Sequence, residues 1–237
     1  MGRGQRWGIA QQWAFVVGAA VLLAAAPGAR AAGMQARVAG GDTVTSSEEA
    51  PWSVAITAGG PDGTMLCSGS IIAPDRVVTA AHCALDGAQP RPPGAFSVMG
   101  GIVDGRLGAD WSPIQVRRVT AARAHPLSDP ALRGYDVAVL DLTAPFDVTG
   151  PSVRAIPLAA AATGSGRVYG WGGSASTGGD DRLHSLDQTL VRTYRCVNGV
   201  PAMLCGLSGS GATCFGDSGG VGLPASQVVI AGAVRST

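Results

Sequence analysis

Lysine is absent from this chain of 237 residues, and all 17 basic residues are arginine. Charge is sparse throughout, at 14% of residues with a net charge of +1. A chain so near neutrality carries no electrostatic footprint for nucleic acid or for an anionic membrane surface, so neither is expected as a partner. Aromatic residues make up only 5%, and the three histidines, His82, His125 and His184, stand far apart. No Cys-x-x-Cys pair occurs among the five cysteines, so the spacing that holds zinc in small domains is missing. No metal and no other cofactor is expected. Helical periodicity is lacking too, because no amphipathic stretch of convincing length recurs at 3.6 residues.

Glycine and proline are abundant, at 36 and 15 residues. They punctuate short β-branched runs that read as strands: Trp52 to Thr57, Met65 to Ala73, Arg76 to Thr79, Phe96 to Met99, Ile114 to Ala122, Val137 to Leu142, Arg167 to Gly170, Leu186 to Thr193 and Val228 to Val234. Many short strands without helices predict an all-β barrel or sandwich. Pro145 to Gly164 is poorer in strand signal and reads as a connection between two halves of similar size.

The amino terminus reads differently. Arg3 and Arg6 precede an uncharged, mostly apolar run from Trp13 to Ala26, and Ala29-Arg30-Ala31 offers small residues at a cleavage spacing. A spanning helix needs about 20 apolar residues, so residues 1–32 read as a secretory signal rather than an anchor. Five cysteines suit an oxidising, extracellular destination, where disulfides persist.

Three stretches carry the chemistry. Val77-Val78-Thr79-Ala80-Ala81-His82-Cys83 ends an apolar strand on a histidine, Tyr135-Asp136-Val137-Ala138-Val139-Leu140 starts another on an aspartate, and Cys214-Phe215-Gly216-Asp217-Ser218-Gly219-Gly220 sets a serine among glycines. Serine is a weak nucleophile until a base and an oxyanion site assist it. Taken singly, each stretch has a plain structural alternative. The glycines can simply make a turn, His82 can be a satisfied core histidine, and Asp136 can cap the turn after Gly134. Asp129, Asp141 and Asp147 compete with Asp136, but only Asp136 directly precedes a buried-looking run. His125 and His184 lie in no motif and read as surface or structural residues.

In the order His, Asp, Ser, with these neighbours, the chain resembles the trypsin/chymotrypsin family of serine endopeptidases from Val38 to about Val234. The resemblance implies two six-stranded antiparallel β-barrels packed face to face, one over about 38–145 and one over about 146–237. It further implies a short propeptide at 33–37 and a protease domain over 38–237. The catalytic set becomes His82, Asp136 and Ser218, with oxyanion donors at the backbone N–H groups of Gly216 and Ser218. Cleavage after Arg37 would free the α-amino group of Val38 to pair with Asp217, although Val38 to Gly41 also reads as an ordinary strand start. Ala212 falls at the base of the specificity pocket and offers no counter-charge to a basic side chain, which suggests an apolar or small one.

The family's disulfides correspond to Cys67–Cys83 and Cys196–Cys205, which leaves Cys214 odd. Polypeptide substrates are implied, together with an activating protease or a protein inhibitor, and the protein is expected to be a monomer. Three departures stand out. Val221 replaces the usual proline, Arg235 sits where a serine is usual, and the family's closing segment does not follow Thr237. These lead to the expectation of a shortened chain with an incomplete second barrel. They also keep open a non-catalytic or impaired homologue acting as a binding protein, and an esterase using the same acyl-transfer site.

Overall fold

A computed structural model describes residues 41–58, 64–86, 89–106, 113–128, 135–158, 164–172, 181–192, 204–207 and 222–223. Among the described residues, thirteen strands run in chain order: β1 (Asp42–Thr43), β2 (Ser53–Ala58), β3 (Thr64–Ala73), β4 (Arg76–Thr79), β5 (Leu85–Asp86), β6 (Gln89–Pro90), β7 (Phe96–Gly100), β8 (Gln115–Ala124), β9 (Ala138–Leu142), β10 (Gly164–Gly170), β11 (His184–Arg192), β12 (Leu204–Leu207) and β13 (Gly222–Leu223). The helical content among the described residues is one turn of α-helix, α1 (Ala81–Ala84), and one 3₁₀ turn at Pro93–Ala95. No helix among them is long and apolar enough to cross a membrane.

Strands β2, β3, β4, β9, β8 and β7 close into an antiparallel barrel in that order. Side chains alternate across a strand, and β2 shows what each face meets. Val54 and Ile56 point into the barrel core with Ile71, Val77, Val98 and Leu140. Ala55 points the other way, into a second apolar cluster with Met99, Ile156, Tyr169, Trp171 and Leu183. Both faces of β2 are therefore covered, which explains why Ser53 to Thr57 is buried at every position.

The second cluster joins the barrel to a five-stranded sheet ordered β1-β11-β10-β13, with β12 also on β11. Trp171 is fully buried there, and its backbone N–H donates to Ser68 Oγ on β3 at 3.0 Å. Strand β1, early in the chain, belongs to this sheet, pairing with β11 through Asp42 opposite Ser185 and Thr43 opposite His184.

The connection between the halves carries no strand from Thr143 to Pro157 among the described residues. It is held to the barrel instead: Phe146 N–H donates to Pro74 O at 2.7 Å, and Ile156 N–H donates to Ile71 O at 2.9 Å.

Candidate active site

His82 and Asp136 reach one rim of the barrel because of strand direction. Strand β4 pairs antiparallel with β9 in a register that sets Thr79 opposite Ala138. The chain therefore leaves β4 beside the point where it enters β9. Three residues past Thr79 lies His82 in α1, and two residues before Ala138 lies Asp136. Thr79 Oγ1 donates to Ser68 O at 2.7 Å, tying the end of β4 back to β3. Cys67 on β3 and Cys83 in α1 form a disulfide with Cα atoms 6.2 Å apart, which fastens the helical turn to the barrel.

Asp136 is buried, while His82 keeps about a third of its side chain exposed. A buried carboxylate is costly unless it is paired and hydrogen-bonded. Asp136 meets that need through a two-point grip on His82. Its Oδ1 accepts the His82 backbone N–H at 2.9 Å, and its Oδ2 lies 2.7 Å from His82 Nδ1. A carboxylate at that distance holds the ring proton on Nδ1. In the neutral ring Nε2 then carries the lone pair, on the more exposed side of the pair. The arrangement can take up a proton at Nε2 and stabilise the resulting cation through Asp136.

The competing aspartates go elsewhere. Asp141 pairs with Arg123 at 2.6 Å, and Asp147 accepts the Thr149 N–H at 3.0 Å and its hydroxyl at 2.6 Å in a local turn. Asp129 lies outside the described residues. His184 is buried within β11, opposite Thr43.

His125 has a more specific position than the sequence suggested. Its ring stacks on Tyr135, the residue before Asp136, with centroids 4.8 Å apart and planes 9° from parallel. The one available signal was the adjacency of Tyr135 to Asp136, and nothing in the sequence coupled it to His125.

A metal does not fit the side chains near His82. Ligand atoms of Cys67, His82 and Cys83 lie within 4.8 Å of one another, but the two sulfurs are bonded together and neither is a thiolate.

The remaining expected site residues lie outside the described residues: Arg37, Val38, Cys196, Ala212, Cys214, Gly216, Asp217 and Ser218. So do residues 1–32 and 33–37, and the run from Val228 to Val234. Cys205 falls on β12, opposite Val191.

Comparison with known proteins adds the missing context. The family model described as Trypsin matches residues 38–234. The chain is 31% identical over 193 residues to a protein named trypsin from Saccharopolyspora erythraea, covering 77% of this chain and 80% of that one. It is 28% identical over 213 residues to trypsin alpha-4 from Lucilia cuprina, covering 84% and 77%. A trypsin from Simulium vittatum is 35% identical over 169 residues, covering 65% and 64%. With an all-β fold, a closed six-stranded antiparallel barrel and a family match over most of its length, the chain belongs to the trypsin family of serine proteases.

Proposed function

We propose that this serine protease is a secreted endopeptidase working through Ser218, His82 and Asp136. Ser218 Oγ attacks the scissile carbonyl carbon while His82 Nε2 takes the hydroxyl proton. The tetrahedral oxyanion is held by the N–H groups of Gly216 and Ser218. Collapse expels the amine, which receives the proton from His82, and leaves an acyl-enzyme. Water then repeats the sequence: His82 takes a proton from it, and the carboxylic acid departs as Ser218 regains its own. Asp136 keeps the His82 ring in orientation and offsets its positive charge. Polypeptides are the substrates of the family.

The observation that carries this reading is the two-point grip of Asp136 on His82, at 2.9 Å to the backbone N–H and 2.7 Å to Nδ1. A carboxylate serving only as a turn cap would have no reason to engage a ring nitrogen from a segment 54 residues away. Residues 1–32 serve as the export signal and 33–37 as a short propeptide. Cutting after Arg37 frees the Val38 amino group to pair with Asp217 and order the oxyanion loop. N-terminal sequencing of the active form tests that step, and an active form that begins before Val38 contradicts it. Ala212 at the pocket base favours an apolar or small residue before the cut bond.

A peptide-library cleavage assay on the exported protein and its Ser218→Ala variant tests the proposal. The expected result is internal cleavage after small or apolar residues by the parent and none by the variant. Undiminished cleavage by Ser218→Ala would overturn the assignment of the nucleophile, and selection for arginine or lysine would overturn the reading of Ala212.

A further inference from the structure

Asp136 is preceded by a residue in an unusual backbone state. Tyr135 has φ 52°, in the left-handed region that bulky side chains rarely adopt. It is one of two non-glycine residues in that region among those described. Such a conformation persists only where its surroundings over-determine it, and here the surroundings are specific. The Tyr135 carbonyl accepts the Val137 N–H at 2.7 Å, closing a tight turn around Asp136. The Val137 carbonyl in turn accepts the His125 N–H at 2.8 Å. The His125 ring lies flat against the Tyr135 ring. Its Nδ1 accepts the Leu127 N–H at 3.1 Å, and its carbonyl accepts the Ser128 N–H at 2.8 Å, so the histidine is fixed by its own turn.

We infer that the His125–Tyr135 stack is a positioning device for Asp136. It holds Tyr135 in the left-handed state that turns the Asp136 carboxylate inward onto the backbone N–H and Nδ1 of His82. The inference rests on the reading of Asp136 as the partner of a catalytic His82. The geometry gives the stack this role because Asp136 has neighbours of two kinds. Val137 is tied forward into β9, where Ala138 pairs with both Thr79 and Ala124. Backward, among the described residues, the ring of Tyr135 stacks on His125. Without the stack the left-handed turn loses its support, Tyr135 relaxes towards an extended backbone, and Asp136 swings relative to His82. Displacements of about 1 Å at a reacting centre can cost about 100-fold in rate, so the effect falls on turnover. Both rings act through Asp136.

Steady-state kinetics on an alanine-rich peptide p-nitroanilide, with thermal unfolding measured in parallel, tests the inference on the full chain. His125→Ala and Tyr135→Ala remove the stack. His125→Phe and Tyr135→Phe keep two facing rings. Tyr135→Gly removes the ring and tolerates the left-handed backbone without being held in it, because glycine populates left-handed and extended states about equally, so it folds even where Tyr135→Ala does not. The expected result is a kcat lowered about 10-fold or more in the alanine and glycine variants, with KM within about twofold, and near-parental kcat in both phenylalanine variants. The downfield proton resonance between His82 and Asp136 should shift or broaden in the first group and stay in place in the second. Unchanged kcat in the alanine and glycine variants overturns the inference, as does a loss that merely follows the unfolded fraction or is not restored by phenylalanine. Asp136→Asn separates the two levels of claim. A fully active Asp136→Asn protein overturns the triad reading and this inference with it. An inactive Asp136→Asn protein beside unaffected His125→Ala and Tyr135→Ala proteins overturns this inference alone.

Discussion

Thr79 and Ala138 face each other across β4 and β9, and this one register places His82 and Asp136 on the same rim of the barrel. The two residues are 54 positions apart in the chain, yet Nδ1 and Oδ2 lie 2.7 Å from each other. The barrel register does the positioning.

The Cys67–Cys83 disulfide closes a loop with a sequence separation of 16. In the chain-entropy model a loop of that size contributes about 3 kcal/mol. It also anchors α1, which carries His82. A Cys67→Ala/Cys83→Ala protein should unfold at lower urea, by an amount equivalent to about 2–4 kcal/mol, and its kcat should fall even where it remains folded. Parallel urea denaturation and kinetics check both parts. A variant with parental stability and parental kcat would show that the bridge neither supports the barrel nor holds His82 in place.

Much of the barrel was legible because its strands obey local rules. Arg76 to Thr79 carries three β-branched residues in a row, is bounded by Pro74-Asp75 before it and alanines after it, and forms β4 with those limits. Other elements were hidden by tertiary effects. Strand β10 starts at Gly164 rather than Arg167, although Gly164-Ser165-Gly166 has little strand propensity, because these residues pair with Leu190, Thr189 and Gln188 on β11. Strand β12 contains Gly206, which breaks any strand pattern in the sequence. A Cβ there would meet the far end of the Gln188 side chain on β11, which would have to move aside to admit it. The one-turn helix α1 is too short to show a period. At the site, the motifs around His82 and Asp136 were readable from their flanking apolar runs. The His125–Tyr135 stack was not, because it depends on a turn that brings two separated residues face to face.

Gly69 tests how tightly the barrel wall is packed. A Cβ at this position would meet Val77 Cγ1 at 2.8 Å, Val54 Cγ2 at 3.0 Å and the Val78 carbonyl oxygen at 3.0 Å. β-branched side chains and a backbone oxygen have little room to give way. Gly69→Ala should therefore destabilise the protein by about 1–3 kcal/mol, the usual cost of overpacking a filled core. The midpoint of urea unfolding measures this, and an unchanged midpoint would mean that β3 and β4 can separate more easily than the packing suggests.

Asp104 predicts part of the response to acid. Hydrogen bonds from the Arg106 guanidinium hold its carboxyl below the ordinary range, and the charge of Arg182 adds to the effect. A carboxylate with a depressed folded pKa stabilises the fold fully above its unfolded value, about 3.9, and loses that contribution as pH falls through the folded value. Asp104→Asn should thus be less stable than the parent at pH 7, with the gap narrowing as the pH drops below about 4. Urea midpoints at pH 7 and pH 3 give the comparison. A gap that stays constant would show that the Asp104 charge contributes nothing to folding.

In the proposed mechanism Ser218 is a nucleophile activated by His82 and Asp136. Its most direct test is stoichiometric labelling of the exported, activated protein with a fluorophosphonate, followed by peptide mapping. One label per molecule is expected, on Ser218, with the labelling rate reduced by about 100- to 10,000-fold in His82→Ala, the usual contribution of a positioned general base. Absence of label on Ser218, or labelling that proceeds at the parental rate without His82, would contradict it.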